Sequence, residues 1–276
     1  MPAMRSSVHH RARTAILIAA LASPLPAAAF GPSGHRLAGY IAEQHLCAET
    51  RSALKPLLAG MTLADAGLWP DTIRRLPEWE HSKPWHYLNV SDHGSVARAA
   101  RQSPDNVLAA LARFEKELGD TSLGNRQRGL ALRFVAHFVA DLHQPLHVGR
   151  ESDRGGNLIP VLVGERETNL HAVWDGEPLR PPGRLSARDR ARQLPLPAAP
   201  EVLRWQLASP SDWARESQAL RSRVYGFSGL AGRPTPLPPD YLDRARVVVD
   251  QRLLMSGVRL AGRLNGILRA PAGCAG

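Results

Sequence analysis

Cysteine is scarce in this chain, which restricts the kinds of metal site that it can build. The 276 residues include two cysteines, Cys47 and Cys274. A structural zinc site made of thiolates takes four ligands, so any metal here must rely on histidine and carboxylate groups. In an oxidising compartment the two cysteines could form one disulfide, and the sequence leaves that pairing open.

Long apolar runs are also missing, which argues against a membrane-spanning helix. The longest run, 15–22, is too short to cross a bilayer and is followed by two prolines. It follows three arginines and precedes an A-x-A sequence, a pattern typical of a secretory signal peptide. We therefore expect residues 1–29 to be a signal peptide cleaved between Ala29 and Phe30, with 30–276 as one domain exported to the periplasm or beyond. An uncleaved anchor is the alternative.

Lysine is scarce as well, so almost all of the positive charge is arginine. The chain has 35 basic and 25 acidic residues, for a formal net charge of +10. Loss of the signal peptide removes three arginines and no acid, which lowers that charge to +7. Arginine forks suit phosphate groups, and the excess therefore indicates an anionic substrate, although genomic base composition can produce the same bias.

Strand-like patterns are few, and helical periodicity dominates the chain. Apolar residues at helical spacing, together with boundary residues such as proline and glycine, predict helices at 34–46, 106–118, 127–143 and 241–268. One short strand or hairpin arm is expected at 158–163. Residues 177–200 are rich in proline and arginine and predict a loop around a short helix. The predicted fold is mainly α, a single-domain multi-helix bundle with little β structure.

Histidine and aspartate recur inside apolar segments. His137 and Asp141 are four residues apart, so on a helix they share a face and can reach one ion. His147 follows closely, and His171 and Asp175 repeat the spacing of four. Three further candidates lie upstream in separate segments: His35, Asp71 and His86. A buried ionised carboxylate is unfavourable unless it is paired or coordinated. His/Asp pairs inside apolar segments therefore indicate a metal site.

These residues lie in a series of motifs along the chain: FGPSGHRLAGYIAE, LADAGLWPDTI, PWHYLNV, HFVADLHQPLHVG, DRGGN, NLHAVWD, WARES and GVRLAGRLN. In these motifs the chain resembles the zinc-dependent single-strand nucleases of the P-one and S-one type, with a looser relation to zinc-dependent phospholipase C. The resemblance therefore extends over essentially the whole of the chain after residue 29.

The resemblance implies three zinc ions per chain. The first would be held by Asp71, His86, His137 and Asp141. The second would be held by His147, His171 and Asp175. The third would share Asp141 and add His35 with the α-amino group and carbonyl of Phe30. Cleavage after Ala29 would then create a metal ligand. The family usually has tryptophan where this chain has Phe30, but because main-chain atoms bind the metal we expect coordination to survive.

The resemblance also implies residues that contact the substrate. Asp71 could orient the attacking water in addition to binding zinc. Arg74 stands where the family often has lysine, and its guanidinium can bind phosphate with two hydrogen bonds. Asn157 matches a phosphate-contacting asparagine. Tyr87 falls at the position of a base-stacking aromatic residue, and Asn89 stands where the family has aspartate, which leaves base preference open.

Several conspicuous residues are not assigned to the metal site. His143 lies between candidate ligands but matches no ligand position, so we expect it to pack or to support a ligand. Trp213 is expected to pack in the core, and Glu216 is expected to be a buried polar anchor. Three histidines are expected at the surface: His45, His81 and His93.

The favoured hypothesis is an exported trinuclear-zinc nuclease that cuts single-stranded DNA and RNA to 5′-phosphorylated products, with 3′-nucleotidase activity as an added capacity. We expect a monomer without stable membrane association. A phospholipase C-like lipid phosphoesterase is one alternative. It is disfavoured because that group has glutamate in the last ligand position, where this chain has Asp175, and a longer interval before the first histidine. The second alternative is a non-catalytic periplasmic protein that binds zinc or nucleic acid.

Overall fold

The computed structural model describes residues 30–180, 185–228 and 233–268, and most of them are helical. The α-helices are α1 Gly31–Gln44, α2 Ala48–Leu58, α3 Leu63–Ala66, α4 Trp69–Ile73, α5 Val96–Gln102, α6 Val107–Gly119, α7 Asn125–Asp141, α8 Leu170–Gly176, α9 Ala187–Gln193, α10 Ala199–Leu207, α11 Pro210–Ala219, α12 Arg221–Val224 and α13 Tyr241–Ile267. Short 3-10 helices cover Pro77–His86, Pro145–Val148 and Glu177–Leu179. The predicted mainly α fold is confirmed.

Helix α7 lies at the centre of the molecule and packs against α6, α2, α13 and α1. Every residue from Phe134 to Gly149 is buried, so the polar side chains of this stretch lie in the interior. The helix ends at Asp141, shortly before Pro145, whose ring cannot continue a regular helix. This end of α7 therefore delivers buried polar groups to the middle of the fold.

The predicted helices all form, with ends that differ by a few residues. Helix α6 begins after Asn106, whose side-chain oxygen accepts hydrogen bonds from the backbone N–H groups of Leu108 and Ala109 at 2.8 and 3.2 Å. Such a cap satisfies N–H groups that have no partner within the helix. Helices α1 and α13 pack closely because Gly257 has no side chain; a Cβ there would lie 2.5 Å from the Cβ of Ile41.

The β structure is small, and the strand or hairpin arm predicted at 158–163 forms as one arm of a hairpin within a three-stranded sheet. Strand β1 (Pro160–Val163) pairs antiparallel with β2 (Arg166–Asn169) and parallel with β3 (Thr235–Pro236), in the order β2-β1-β3. The first of these pairings is a hairpin, and β2 leads directly into α8. Strand β2 is mostly exposed and polar, which is why its sequence carries no apolar alternation.

One surface prediction is wrong. His45 is buried at 6% exposure, because it lies between α1 and α2 where its carbonyl accepts a hydrogen bond from the Nδ2 of Asn265. His81 and His93 are exposed, as expected. Cys47 is buried at the start of α2, whereas Cys274 lies outside the described residues, so their pairing stays open. The predicted signal peptide, 1–29, also lies outside them.

Candidate metal centre

Six helical elements bring the predicted His and Asp ligands together. Helix α1 supplies His35, α4 supplies Asp71, and the 3-10 helix Pro77–His86 supplies His86. The remaining side chains come from α7, from the 3-10 helix that follows it and from α8: His137, Asp141, His147, His171 and Asp175. The spacing of four within α7 and within α8 places each His/Asp pair on one helix face.

Three groups of ligand atoms are close enough to surround a metal ion, with all atoms of a group within 4.8 Å of one another. They are His35, Asp71 and His137; His86, His137 and Asp141; and His147, His171 and Asp175. The first two share His137. The division differs from the predicted one, in which His35 joined Asp141, but the Nε2 of His35 also lies 3.6 Å from the Oδ1 of Asp141.

Asp141 is at the centre of this arrangement. Its Oδ2 lies 3.1 Å from the Nδ1 of His86 and 3.2 Å from the Nε2 of His137. Its Oδ1 lies 3.7 Å from the Nδ1 of His147. The carboxylate therefore belongs to the group of His86, His137 and Asp141 and also faces His35 of the adjoining group, a position suited to a bridging ligand.

Backbone carbonyls fix the orientation of three histidine rings. The Nδ1 atoms of His137, His147 and His171 lie 2.7, 2.6 and 2.7 Å from the carbonyl oxygens of Gly67, His86 and Gly155. A carbonyl can only accept, so each Nδ1 carries the proton and each Nε2 carries a lone pair. Metal-binding histidines commonly show this arrangement.

Many of the buried atoms of the site have no hydrogen-bond partner among the described residues. They are both ring nitrogens of His35, the Nε2 atoms of His86 and His147, the Oδ1 of Asp141 and the Oδ2 of Asp175. Buried polar groups are normally paired, because an unpaired one loses its hydration without compensation. Nitrogen and oxygen lone pairs that converge without donors suit a cation, and this donor set suits zinc.

Burial and neighbouring charges shift the ionisation of the site. Burial lowers the pKa of His35 and of His147 to about 3 and that of His171 to about 4. These rings are therefore neutral, the form that binds metal. Burial opposes ionisation of Asp141, but interactions with the surrounding histidines, His137 foremost, outweigh it and hold its pKa well below the ordinary value. Burial raises the pKa of Asp175 well above the ordinary value.

The segments around the site are joined by main-chain hydrogen bonds. The N–H of Leu88 donates to the carbonyl of His147 at 2.7 Å, and Val90 donates to Gly149 at 2.9 Å. The chain after His86 thus runs beside the chain after His147. The glycine-rich turn nearby needs Gly155, because φ there is +63° and a Cβ would lie 2.4 Å from the carbonyl oxygen of Leu146.

Phe30 precedes α1 and is fully buried in the apolar core. It packs against Gly34, where a Cβ would lie 2.5 Å from the Cβ of Phe30. Gly31 lies against the carbonyl oxygen of Asp175, since a Cβ on Gly31 would be 2.9 Å from it. The beginning of the predicted domain is therefore packed beside one of the candidate ligands, and the interior accommodates phenylalanine at this position.

The predicted substrate contacts lie at the edge of the centre. The Nε of Arg74 is 3.1 Å from the Oδ1 of Asp71, and both side chains are partly accessible. Tyr87 is 41% exposed, and the Oδ1 of Asn89 lies beside the glycine turn. The Nδ2 of Asn157 donates to the carbonyl of Arg154 within its own turn at 2.8 Å.

His143 is turned away from all three groups. Its Nδ1 donates to the carbonyl of Val139 at 2.7 Å, and its Nε2 accepts from the Nη1 of Arg259 at 2.8 Å. Trp213 is fully buried, and Glu216 accepts hydrogen bonds from both Arg252 and Arg259. These contacts agree with the predicted packing of Trp213 and polar support by Glu216, but Glu216 is partly exposed and not buried as predicted.

One polar residue of the site was overlooked because only His and Asp side chains were considered around the metal. Gln144 is fully buried, and its Nε2 donates to the Oδ1 of Asp175 at 2.8 Å. A signal was present in the sequence: a long amide side chain stands three residues from a candidate ligand on either side.

Comparison with known proteins agrees with this geometry. The family model S1/P1 Nuclease matches residues 30–269. The chain belongs to the S1/P1 nuclease family. Endonuclease 3 of Arabidopsis thaliana is 32% identical over 87% of this chain and 90% of its own length. Nuclease S1 of Aspergillus oryzae is 26% identical over 88% and 93%. Nuclease P1 of Penicillium citrinum is 25% identical over 86% and 97%.

Membership in this family of zinc-dependent nucleases makes the chain a zinc-dependent endonuclease, a hydrolase that acts on nucleic acid. The three His/Asp groups are the places in the described structure that could hold the metal. None of the described helices is long and apolar enough to span a membrane.

Proposed function

We propose that the protein is an exported nuclease that uses three zinc ions to hydrolyse single-stranded DNA and RNA to 5′-phosphorylated products, and that it also removes 3′-phosphates from nucleotides. The observation that carries the proposal is the set of buried, unpaired nitrogen and oxygen atoms in three adjoining His/Asp groups. The ligands would be Phe30, His35, Asp71, His86, His137, Asp141, His147, His171 and Asp175.

Hydrolysis of a phosphodiester requires a nucleophile and neutralisation of the phosphate charge. When bound, clustered zinc generates a nucleophile from water at neutral pH and offsets charge on the phosphate oxygens. Asp71 lies beside Arg74 and is partly accessible. It would orient the attacking water by accepting a hydrogen bond from the O–H group of that water. Arg74 would bind a non-bridging phosphate oxygen through its guanidinium. Asn157 would add a neutral hydrogen-bond donor after turning from Arg154.

Single strands fit the position of Tyr87 at the edge of the site. An exposed aromatic ring can stack on any base, which makes recognition tolerant of sequence. In a duplex the bases are already stacked and paired, whereas a single strand can present one to the protein. Asn89, two residues further along the chain, would contribute to the same contact, because its amide both donates and accepts hydrogen bonds.

A substrate panel tests the proposal. The chain beginning at Phe30 would be purified, stripped with chelator, reloaded with zinc and offered single-stranded DNA, RNA, a 3′-nucleotide and phosphatidylcholine. We expect cleavage of both nucleic acids with 5′-phosphate ends and release of phosphate from the nucleotide, all lost without zinc. Failure to degrade nucleic acid with zinc restored contradicts the proposal. Lipid turnover would support a phospholipase, and zinc binding without turnover a binding protein.

The role of Phe30 needs a separate test, because it depends on a free amino terminus. A chain with one additional residue before Phe30 should bind one zinc fewer and lose most of its activity. The matched control is the same chain with the additional residue removed by a protease that leaves Phe30 first. Full zinc content and activity in the extended chain would refute the amino-terminal ligand.

A further inference from the structure

Gln144 is connected to three of the candidate ligands by hydrogen bonds. Its backbone N–H donates to the carbonyl of Asp141 at 3.0 Å, and its carbonyl accepts from the N–H of His147 at 3.0 Å. Its side chain reaches a different element, α8, where its Nε2 donates to the Oδ1 of Asp175 at 2.8 Å. This single residue therefore links the end of α7 to both neighbouring ligand positions.

The contact with Asp175 selects one oxygen of that carboxylate. Oδ1 accepts from Gln144, whereas Oδ2 is buried, has no hydrogen-bond partner in the described parts of the chain and lies 3.5 Å from the Nε2 of His171. A carboxylate held through one oxygen cannot rotate freely. It presents the other oxygen to the space shared with His147 and His171.

The oxygen of the Gln144 side-chain amide also takes part in a hydrogen bond. The Oε1 of Gln144 accepts from the N–H of Leu146 at 2.5 Å, which caps the 3-10 helix Pro145–Val148 that contains His147. The same side chain thus has to donate at one end and accept at the other. A carboxamide does both, whereas an ionised carboxylate only accepts and an ammonium or guanidinium only donates.

Charge explains why an amide is suited to this position better than a cation. An arginine or lysine beside Asp175 would neutralise it and compete with a metal ion. The neutral amide orients the carboxylate and leaves its negative charge to attract the cation. Arg252 and Arg259, which donate hydrogen bonds to the neighbouring residue His143, are instead paired with Glu216.

We propose that Gln144 is a positioning residue that fixes Asp175 to bind zinc through Oδ2 and holds His147 in register with it. The inference rests on the proposed metal centre at His147, His171 and Asp175. Groups that orient metal ligands typically contribute 10–100-fold to metal affinity, and we expect Gln144 to contribute within about that range.

The test is Gln144→Met, which keeps the length of the side chain and removes both hydrogen bonds. The control is Gln206→Met, which removes a comparable bond, from the Nε2 of Gln206 to the carbonyl of Val258, far along the chain from the ligands. Zinc affinity would be measured by chelator competition, one equivalent at a time. The thermal midpoint of the zinc-free protein would be measured beside it. In Gln144→Met we expect one equivalent to bind about 10–100-fold more weakly, with the others unchanged, and activity to recover at high zinc.

Two results would overturn the role of Gln144. One is affinity equal to or tighter than that of the unmodified chain for every equivalent. The other is uniform weakening of all equivalents together with a lower midpoint of the zinc-free protein, which would mean that Gln144 only supports the fold. If the methionine variant does not fold, Gln144→Glu retains the acceptor for Leu146 and should show the same single weakened equivalent. An unmodified chain that binds no zinc would refute the proposed metal centre itself.

Discussion

Two clusters of buried histidine and charged side chains share the stretch 137–147, and they differ in how their polar atoms are satisfied. In one cluster His137, Asp141 and His147 face other ligand candidates, and many atoms lack hydrogen-bond partners among the residues that the structure describes. In the other, His143 joins Arg252, Arg259 and Glu216, and every side-chain nitrogen and oxygen of these four residues is hydrogen bonded.

The difference shows how a metal centre can be told from a structural polar cluster. Both are buried and both combine histidine with a carboxylate. The structural cluster contains its own cations, so its charges are paired within the protein. Among the residues that the structure describes, the candidate centre brings together three aspartates, and the arginine paired with them is Arg74 at its edge, which leaves the centre short of positive charge. Unpaired acceptors, rather than the presence of histidine, mark the metal centre.

The largest expected effect is from Asp141→Asn, which keeps the side-chain shape and removes the charge that faces two of the three ligand groups. We expect loss of zinc and a fall in kcat/KM of about a thousandfold, about 4 kcal/mol, because metal ions supply several kcal/mol of charge stabilisation. The zinc-free protein should remain folded. Zinc per chain by mass spectrometry and kcat/KM on single-stranded DNA are the measurements. Asp243→Asn, in an exposed pair with Arg246, is the control, and normal activity in Asp141→Asn would contradict the assignment.

In the other cluster, Glu216→Ala should reduce stability and leave zinc binding intact. Removing the carboxylate leaves Arg252 and Arg259 buried without their partner. Breaking a buried pair costs about 3–5 kcal/mol, and we expect the lower end because the Glu216 side chain is 36% exposed. Urea denaturation measures the loss, and Glu201→Ala, from the exposed pair with Arg204, is the control. An unchanged free energy of unfolding, or loss of zinc from folded protein, would remove the distinction between the clusters.

The same variant has an expected pH dependence. Burial opposes ionisation of Glu216, but hydrogen bonds from Arg259 and Arg252 outweigh it and hold its pKa below the ordinary 4.5. A lowered folded-state pKa means that the carboxylate contributes its full stability above about pH 4.5 and loses it as the pH falls through the lowered value. The difference between the unmodified chain and Glu216→Ala should therefore be largest at neutral pH and shrink in acid.

At the edge of the metal centre, Arg74→Leu should weaken phosphate binding without removing zinc. A hydrogen bond to a charged group contributes about 1.5–3 kcal/mol, so kcat/KM should fall about 10- to 150-fold. The neighbouring Arg75→Leu removes an equal charge from an exposed position and controls for general electrostatic attraction. Equal losses in the two variants would mean that Arg74 acts only through net charge.

The smallest expected effect is from Tyr87→Ala. Base stacking contributes about 1–3 kcal/mol, and at this exposed ring we expect about 1 kcal/mol, a rise in KM of about fivefold. Zinc content and kcat should not change. Tyr87→Phe keeps the ring and should match the unmodified chain; if it loses as much as alanine, the hydroxyl rather than stacking makes the contact.

Much of the fold followed from local patterns. The long helices α6, α7 and α13 were predicted because their apolar spacing and boundary residues act within a few residues of each other. Strands β2 and β3 were missed because β2 is exposed and polar and β3 is two residues long. Their pairing depends on β1, and β3 lies about seventy positions further along the chain, a contact that a local pattern does not encode.

By itself the sequence determined which residue types could bind a metal and which pairs share a helix face, because those properties depend on side-chain chemistry and on a fixed helical period. Only the tertiary structure decided which histidines have unpaired nitrogens. His143 and His147 are four residues apart in the same buried stretch, yet Arg259 binds the first and the carbonyl of His86 orients the second. The partner of each ring comes from a distant segment, and packing in three dimensions selects it.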